Sequence, residues 1–248
     1  MFAVVAVDHH VIKETLEIAR RNRDLRVLWQ APGCVVGVYG DTLSADSYGM
    51  RQFSFSQANV VINSSSTPNN RVLGKQIDTD PAALSHGVPG AHTAFCWLAA
   101  KQQLIASRDP LNQHSLYYAR LANATVVSSE ARFIADLMPA KPALNPAALA
   151  CWLAGEPNPA LSLYAKIHAL PLGCSLMAGV EGSLQETTFW DIDPHHEIRL
   201  PNDADYSDSF AELLNTAVSS HIAGEDQVVV SQMSGGMDST SITALAHT

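Results

Sequence analysis

QVVVSQMSGGMDSTSITALA, residues 227–246, is the stretch on which the reading of this chain turns. Three consecutive valines, Val228 to Val230, bounded by polar residues suit a strand buried on both faces, as in a parallel sheet. Ser239 to Ala246 restarts a helical pattern. Between them, Ser234-Gly235-Gly236-Met237-Asp238-Ser239-Thr240 stands at the carboxyl end of the strand and at the N-terminus of the helix. Two glycines let backbone N–H groups approach an anion without Cβ hindrance, and the helix N-terminus adds partial positive charge. Ser234, Ser239 and Thr240 add hydroxyl donors. No lysine follows the glycines, so the loop is not the phosphate loop GxxxxGKS/T, and its spacing does not fit the dinucleotide turn GxGxxG. A carboxylate beside an anion repels it unless a cation bridges the two. Asp238 is therefore predicted to act through Mg²⁺, the plain alternative being a helix cap.

Working outward, Tyr206 to Ile222 places Phe210, Leu213, Leu214, Ala217 and Val218 on one stripe of an amphipathic helix. Helix, strand, glycine-rich loop and helix predict the opening of a doubly wound α/β domain over 206–248. The polar, proline-containing stretch 193–205 reads as a linker, which leaves 1–192 as a first domain. That domain reads as mixed α/β: a strand from Phe2 to Val7, a helical stretch, then LRVLWQ and CVVGVY separated by Ala31-Pro32-Gly33. DTLSADSYG and NSSSTPNN read as loops, with a short strand at Asn59 to Ile62 between them. FCWLAA, QQLIAS, SLYYAR and TVVSS follow as a β-meander, and Glu130 to Leu137 as a short helix. Asn145-Pro146 caps a further helix, Leu149, Trp152 and Leu153 form its apolar face, and Gly155 stops it. IHALPLGCSLMAG and SLQETTFWDI complete the domain as strands.

A chain of 248 residues can bury a core without staples. With 47% hydrophobic and 16% charged residues and no apolar run of membrane-spanning length, it reads as a soluble globular protein. MFAVVAVDHH lacks a basic n-region and does not read as a secretory signal, so a cytoplasmic location without a membrane partner is the expectation. A net charge of −9 argues against a nucleic-acid partner. Cys34, Cys96, Cys151 and Cys174 form no CxxC pair and read as buried thiols rather than zinc ligands or disulfides. The pairs His9-His10 and His195-His196 have no nucleophile beside them and read as solvated surface.

The stretch 227–246 resembles the SGGxDS pyrophosphate-loop signature of the asparagine synthetase-like superfamily, with Met237 at the variable position. Arg108-Asp109-Pro110-Leu111-Asn112-Gln113-His114-Ser115-Leu116-Tyr117-Tyr118 is similar to that family's RDPxGxxPLYY turn, Asn112 replacing a glycine. Asparagine tolerates positive φ, so the exchange is physically acceptable. Ser128-Ser129-Glu130, Leu170 to Gly173 and Phe189-Trp190-Asp191 extend the likeness over most of residues 88–248. The resemblance implies an Ntn-hydrolase-like αββα glutaminase-type domain followed by the start of an adenine-nucleotide α-hydrolase-like domain. It also implies that ATP and Mg²⁺ are required. The loop then cradles the β- and γ-phosphates while a substrate carboxylate attacks the α-phosphate, and an amine displaces AMP.

The chain departs from the pattern in two places. A working glutaminase of this type uses an N-terminal cysteine with its own α-amine as base, whereas position 2 here is Phe2 and no NGEIYN-like run is visible. The first domain is thus expected to lack glutaminase activity, and the amine to come from the substrate itself. Lasso-peptide macrolactam synthetases and β-lactam synthetases resemble this layout. The substrate expected is a peptide or a small carboxylate, and the partners implied are proteins that process a precursor peptide. Asparagine synthesis from free ammonia or a separate glutaminase stands as an alternative, and so does a non-catalytic module that docks a peptide or protein. The second departure is that eight residues follow Thr240, where a doubly wound domain needs on the order of 100–200. The sequence therefore reads as an N-terminal fragment. The family's catalytic lysine and second magnesium carboxylate would lie beyond Thr248, leaving the fragment inactive alone.

Overall fold

A computed structural model describes residues 1–22, 24–39, 50–55, 58–64, 69–88, 90–111, 113–222 and 229–247. The loop readings at 41–49 and 65–68, the backbone of Asn112, and Gln227-Val228 of the predicted strand lie outside the described residues. The chain divides into two compact units, Met1–Asp191 and Ile192–Thr248.

In the first unit the described strands form two six-stranded antiparallel sheets. One runs in the order β10 (His168–Ala169), β8 (Tyr117–Arg120), β9 (Thr125–Ser128), β1 (Phe2–Val5), β3 (Cys34–Tyr39), β2 (Leu25–Ala31). The other runs β12 (Leu184–Thr188), β11 (Cys174–Gly179), β7 (Gln103–Arg108), β6 (His92–Leu98), β5 (Ala58–Ser64), β4 (Met50–Ser54). Strand alternation sorts their residues into layers. Ala3 and Val5 of β1 and Val36 and Val38 of β3 pack with Val61, Phe95, Trp97, Leu104, Ala106 and Leu176 of the second sheet, so the two sheets share one core. On the outer face of the first sheet, Phe2, Val4, Val35 and Val126 meet Ile12 and Leu16 of α1 (His9–Asn22) and Phe133, Ile134 and Leu137 of α3 (Ala131–Leu137). On the outer face of the second, Val60, Ile62 and Ile105 meet Leu73 and Ile77 of α2 (Asn70–Thr79) and Leu84 of the 3₁₀ segment Pro81–Gly87. This is the αββα sandwich that the family resemblance implies.

The four runs read as one meander are divided between the sheets. β6 pairs with β7 and β8 with β9, but β7 and β8 do not pair. The RDP turn makes the crossing. The Asp109 carboxylate accepts the N–H groups of Gln113 and His114, each at 2.9 Å, and Arg108 Nη1 donates to the His114 carbonyl at 3.1 Å. Periodicity within each run could not show that the chain changes sheets between them.

Helix α4 (Pro146–Leu153) starts as predicted: the Asn145 side chain accepts the N–H groups of Ala147 and Ala148, and Gly155 takes φ +81° beyond its end. Its apolar face is not core, however, since Trp152 is 59% and Leu153 70% exposed while Ala148 is buried. The same correction applies in the second unit, which comprises α5 (Asp203–Ile222) and α6 (Met237–Ala246). Along the α5 stripe Phe210 and Leu213 are largely exposed and Val218 is buried. The described part of the predicted strand, Val229–Gln232, is irregular and exposed. A parallel strand exists only through its neighbours, and the unit holds no strand among its described residues. No helix among the described residues is long and apolar enough to cross a membrane.

Phe2 and Gly37 face each other in the β1–β3 register. A Cβ on Gly37 would stand 2.7 Å from the Phe2 ring and 2.7 Å from the Arg26 carbonyl oxygen. Gly37→Ala should therefore lower the unfolding free energy by about 1–3 kcal/mol through overpacking. Phe2→Leu in the same chain should recover part of that loss, read as a coupling energy in a urea-denaturation double-mutant cycle.

Candidate functional site

Position 2 is structural. The Phe2 ring is fully buried on the helix-facing side of β1, stacked on Phe133 at 4.8 Å, and Phe133 stacks in turn on Tyr39 at 4.5 Å. Beside this aromatic column lies a polar cluster. The Met1 α-amino group donates to Ser129 Oγ at 3.0 Å, the Ser129 N–H donates to the Met1 carbonyl at 3.0 Å, and Tyr39 Oη lies 3.0 Å from Ser128 Oγ and 3.1 Å from Ser129 Oγ. The Met1 side chain, 8% exposed, sits in the core between the sheets. Burial lowers the pKa of the Met1 amine to about 6, against the opposing pull of Glu130. The amine is thus largely neutral at pH 7, as a base must be, but the side chain that follows it carries no nucleophile.

Ser128 and Ser129 were legible as a family match, and the structure supplies their role, which is to fasten β1 to the end of β9. A second buried cluster, Ser85, His92 and Ser107, gave no signal in the sequence because its members come from separate elements. Cys34, Cys96 and Cys174 are buried free thiols and Cys151 is half-buried. Burial pushes the Cys34 thiol far up and Cys96 up to about 12. Both are protonated and unreactive at neutral pH. His9, His10, His195 and His196 are exposed.

In the second unit the loop 234–240 opens α6. Gly235 has φ +84° with nothing within 4 Å of a would-be Cβ, so backbone conformation alone calls for glycine there. Gly236 is the N-cap and, having no side chain, supplies no side-chain cap to the first turn of the helix. Ser234 Oγ and Ser239 Oγ lie 3.1 Å apart across the loop, and Ser239 Oγ also accepts the Ser234 N–H at 3.3 Å. The Thr240 hydroxyl donates to the Gly236 carbonyl at 2.8 Å, and the Ser239 hydroxyl reaches the same carbonyl at 3.3 Å. Asp238 lies exposed in the first turn. Among the described residues no group of three His, Cys, Asp or Glu side chains could hold a metal. A lone carboxylate still fits Mg²⁺, which keeps its waters and takes one or two carboxylates together with substrate phosphates. If so used, Asp238 would hold the ion, Gly235 to Met237 would offer backbone N–H groups, and Ser234 and Ser239 would offer hydroxyls.

The model of the glutamine amidotransferase domain matches residues 63–190, just over half of the chain, and the chain belongs to that family. Among solved structures, the chain is similar to the glutamine phosphoribosylpyrophosphate amidotransferase of B. subtilis complexed with ADP and GMP, at 12% identity and a TM-score of 0.41 over 76% of this chain and 49% of that one. It is also similar to an allosteric regulatory enzyme of purine biosynthesis, at 16% identity and a TM-score of 0.37 over 76% of this chain and 43% of that one. The chain thus spans about half the length of these structures or less. No curated protein matches it.

The buried amine makes stability pH-dependent. Its pKa falls from 8.0 to about 6 on folding, so the unfolded chain binds the proton first as pH drops. This contribution is fully present above pH 8 and should be lost progressively toward pH 6, amounting to about 3 kcal/mol. Urea midpoints between pH 8.5 and 6 measure it, and a flat profile would contradict the buried, neutral amine. Phe2→Cys should release no glutamate from glutamine, because the new side chain points into the helix-facing core. A direct glutaminase assay on the folded variant checks this.

Proposed function

We propose that this chain serves an ATP-dependent amide-bond-forming ligase of the asparagine synthetase-like branch, in which a carboxylate is adenylated and then captured by an amine. The observation that carries the reading is the SGGMDS loop: a glycine at φ +84°, a helix N-terminus without a side-chain cap, and Asp238 in the first turn. Such a terminus is a site for anionic oxygens, and the adjoining carboxylate fits a metal-bound pyrophosphate better than a free anion.

In the first step a substrate carboxylate oxygen bonds to the α-phosphorus of ATP and the bond to the β-phosphate oxygen breaks. Backbone N–H groups of the loop would stabilise the leaving pyrophosphate as its charge grows. Asp238 would hold Mg²⁺, which when bound would supply charge neutralisation on those phosphates. In the second step an amine nitrogen attacks the acyl carbon, AMP leaves with the bonding pair, and the amine's proton passes to solvent or a base. The buried Phe2 supports an amine source other than glutamine hydrolysis at this domain. We favour an internal amine, with an Asp or Glu side chain of a precursor peptide closed onto that peptide's own N-terminus as a macrolactam.

ATP/radiolabelled-pyrophosphate exchange by the natural gene product tests this. Exchange that requires a peptide and falls on the order of 100-fold in Asp238→Ala supports adenylation with the loop as its pyrophosphate site. Exchange driven by aspartate instead would replace cyclisation with asparagine synthesis. No exchange with any acyl donor from a folded protein would sink the ligase and leave a docking module.

A further inference from the structure

His92 opens β6 and is 1% exposed. Its Nδ1 lies 2.8 Å from the Gly90 carbonyl, which can only accept, so Nδ1 carries the ring proton. Its Nε2 lies 2.9 Å from Ser85 Oγ and in the neutral ring accepts the Ser85 hydroxyl. Ser85 is within hydrogen-bond reach of Ser107 Oγ and stands 2.9 Å from the Arg108 carbonyl. One buried hydroxyl thereby fastens the 3₁₀ segment Pro81–Gly87 to the adjacent ends of β6 and β7.

The charged and titratable groups on the elements packed around the ring are few. Arg108 ends β7, Asp109 and His114 belong to the turn that follows, and His86 lies on the 3₁₀ segment, while β5 carries none. Burial lowers the His92 pKa, the Gly90 bond and Asp109 oppose that shift, and His114 adds to it. The Asp109 carboxylate is already committed to two backbone N–H groups.

We propose that Ser85 and His92 form an acid-sensitive latch, and that protonation of His92 releases the layer Asn70–Gly87 from the second sheet before the two sheets part. A protonated ring must donate from Nε2. The Ser85 oxygen can accept that bond while its own proton turns to the Arg108 carbonyl, so no hydrogen bond is lost and one is gained, and the opposing cost is desolvation alone. What changes is that a full charge is held where water cannot reach it. Lifting the segment that bears Ser85 hydrates Nε2 and disrupts the apolar contacts of Leu73, Ile77, Leu84 and Val88, leaving the core between the sheets intact. This inference is independent of the proposed ligase activity.

Hydrogen–deuterium exchange on the whole chain between pH 7.5 and 5, corrected for intrinsic rates, reads the latch. Amides of 70–88 should lose protection at least about tenfold on acidification while β6 and β7 keep theirs, one pH unit of linked protonation being worth that factor. The Met1 amine also titrates within this pH window, but it is tied to β1 and β9 and marks those strands instead. His92→Gln keeps an acceptor for Ser85 without titrating, and 70–88 should then lose its pH response. An unchanged response in that variant, or simultaneous loss of protection across both sheets in the wild type, would overturn the latch. If the variant does not fold, the imidazole nitrogen shifts of wild-type His92 decide. Loss of protection in 70–88 should begin near the free-imidazole pKa of about 6.5 and level off at the wild-type His92 midpoint, and a His92 midpoint at or above that starting point refutes the latch.

Discussion

The first sheet is organised around a single steric bargain: the Phe2 ring lies where the Gly37 side chain would be. β1 is an inner strand flanked by β9 and β3, so whatever position 2 carries is enclosed by the sheet on one side and by α1 and α3 on the other. A phenyl ring fits because Gly37 leaves room and because Phe133 and Tyr39 extend it into an aromatic column. Stacked rings of this kind add about 0.5–1.5 kcal/mol per pair beyond their burial. The Tyr39 hydroxyl then reaches Ser128 and Ser129, and Ser129 holds both the amine and the carbonyl of Met1. Apolar packing and the polar tie at the strand's start are thus one structure.

This arrangement gives position 2 of the domain a packing role. A nucleophile must meet its substrate, and a core residue must not meet water; one side chain on a central strand cannot do both. The depressed pKa of the Met1 amine follows from enclosure and needs no catalytic partner. A perturbed amine is therefore by itself a poor sign of catalysis, since the same burial that tunes it also closes the approach to it.

What the sequence disclosed divides along the reach of each interaction. Local pattern placed β2, β3, α3 and α4 to within a residue or two, and it placed Asn145 and Gly155 in their cap and stop roles, because those preferences are settled within a few residues. It did not disclose that the chain changes sheets at Asp109. Each flanking run alternates or is wholly apolar whichever sheet receives it, and the crossing is fixed by a carboxylate bonding to backbone groups four and five residues on. Nor did it disclose the Ser85, His92 and Ser107 cluster, whose residues meet only through the pairing of β6 with β7 and the docking of the 3₁₀ segment.

The apolar stripes of α4 and α5 show a different limit. Helical periodicity says that a face would rather leave water; it does not say what covers that face. Trp152, Leu153, Phe210 and Leu213 satisfy the spacing rule and still face solvent, as do Val229 and Val230, and the described part of their β-rich run is in no strand. A strand is a property of a pair, and a buried helix face is a property of an interface. Amino-acid pattern supplies half of each. The 234–240 loop, by contrast, needs only its own backbone to take up its turn. The helix expected to follow it is in place from Met237, while the described part of the strand expected before it is irregular.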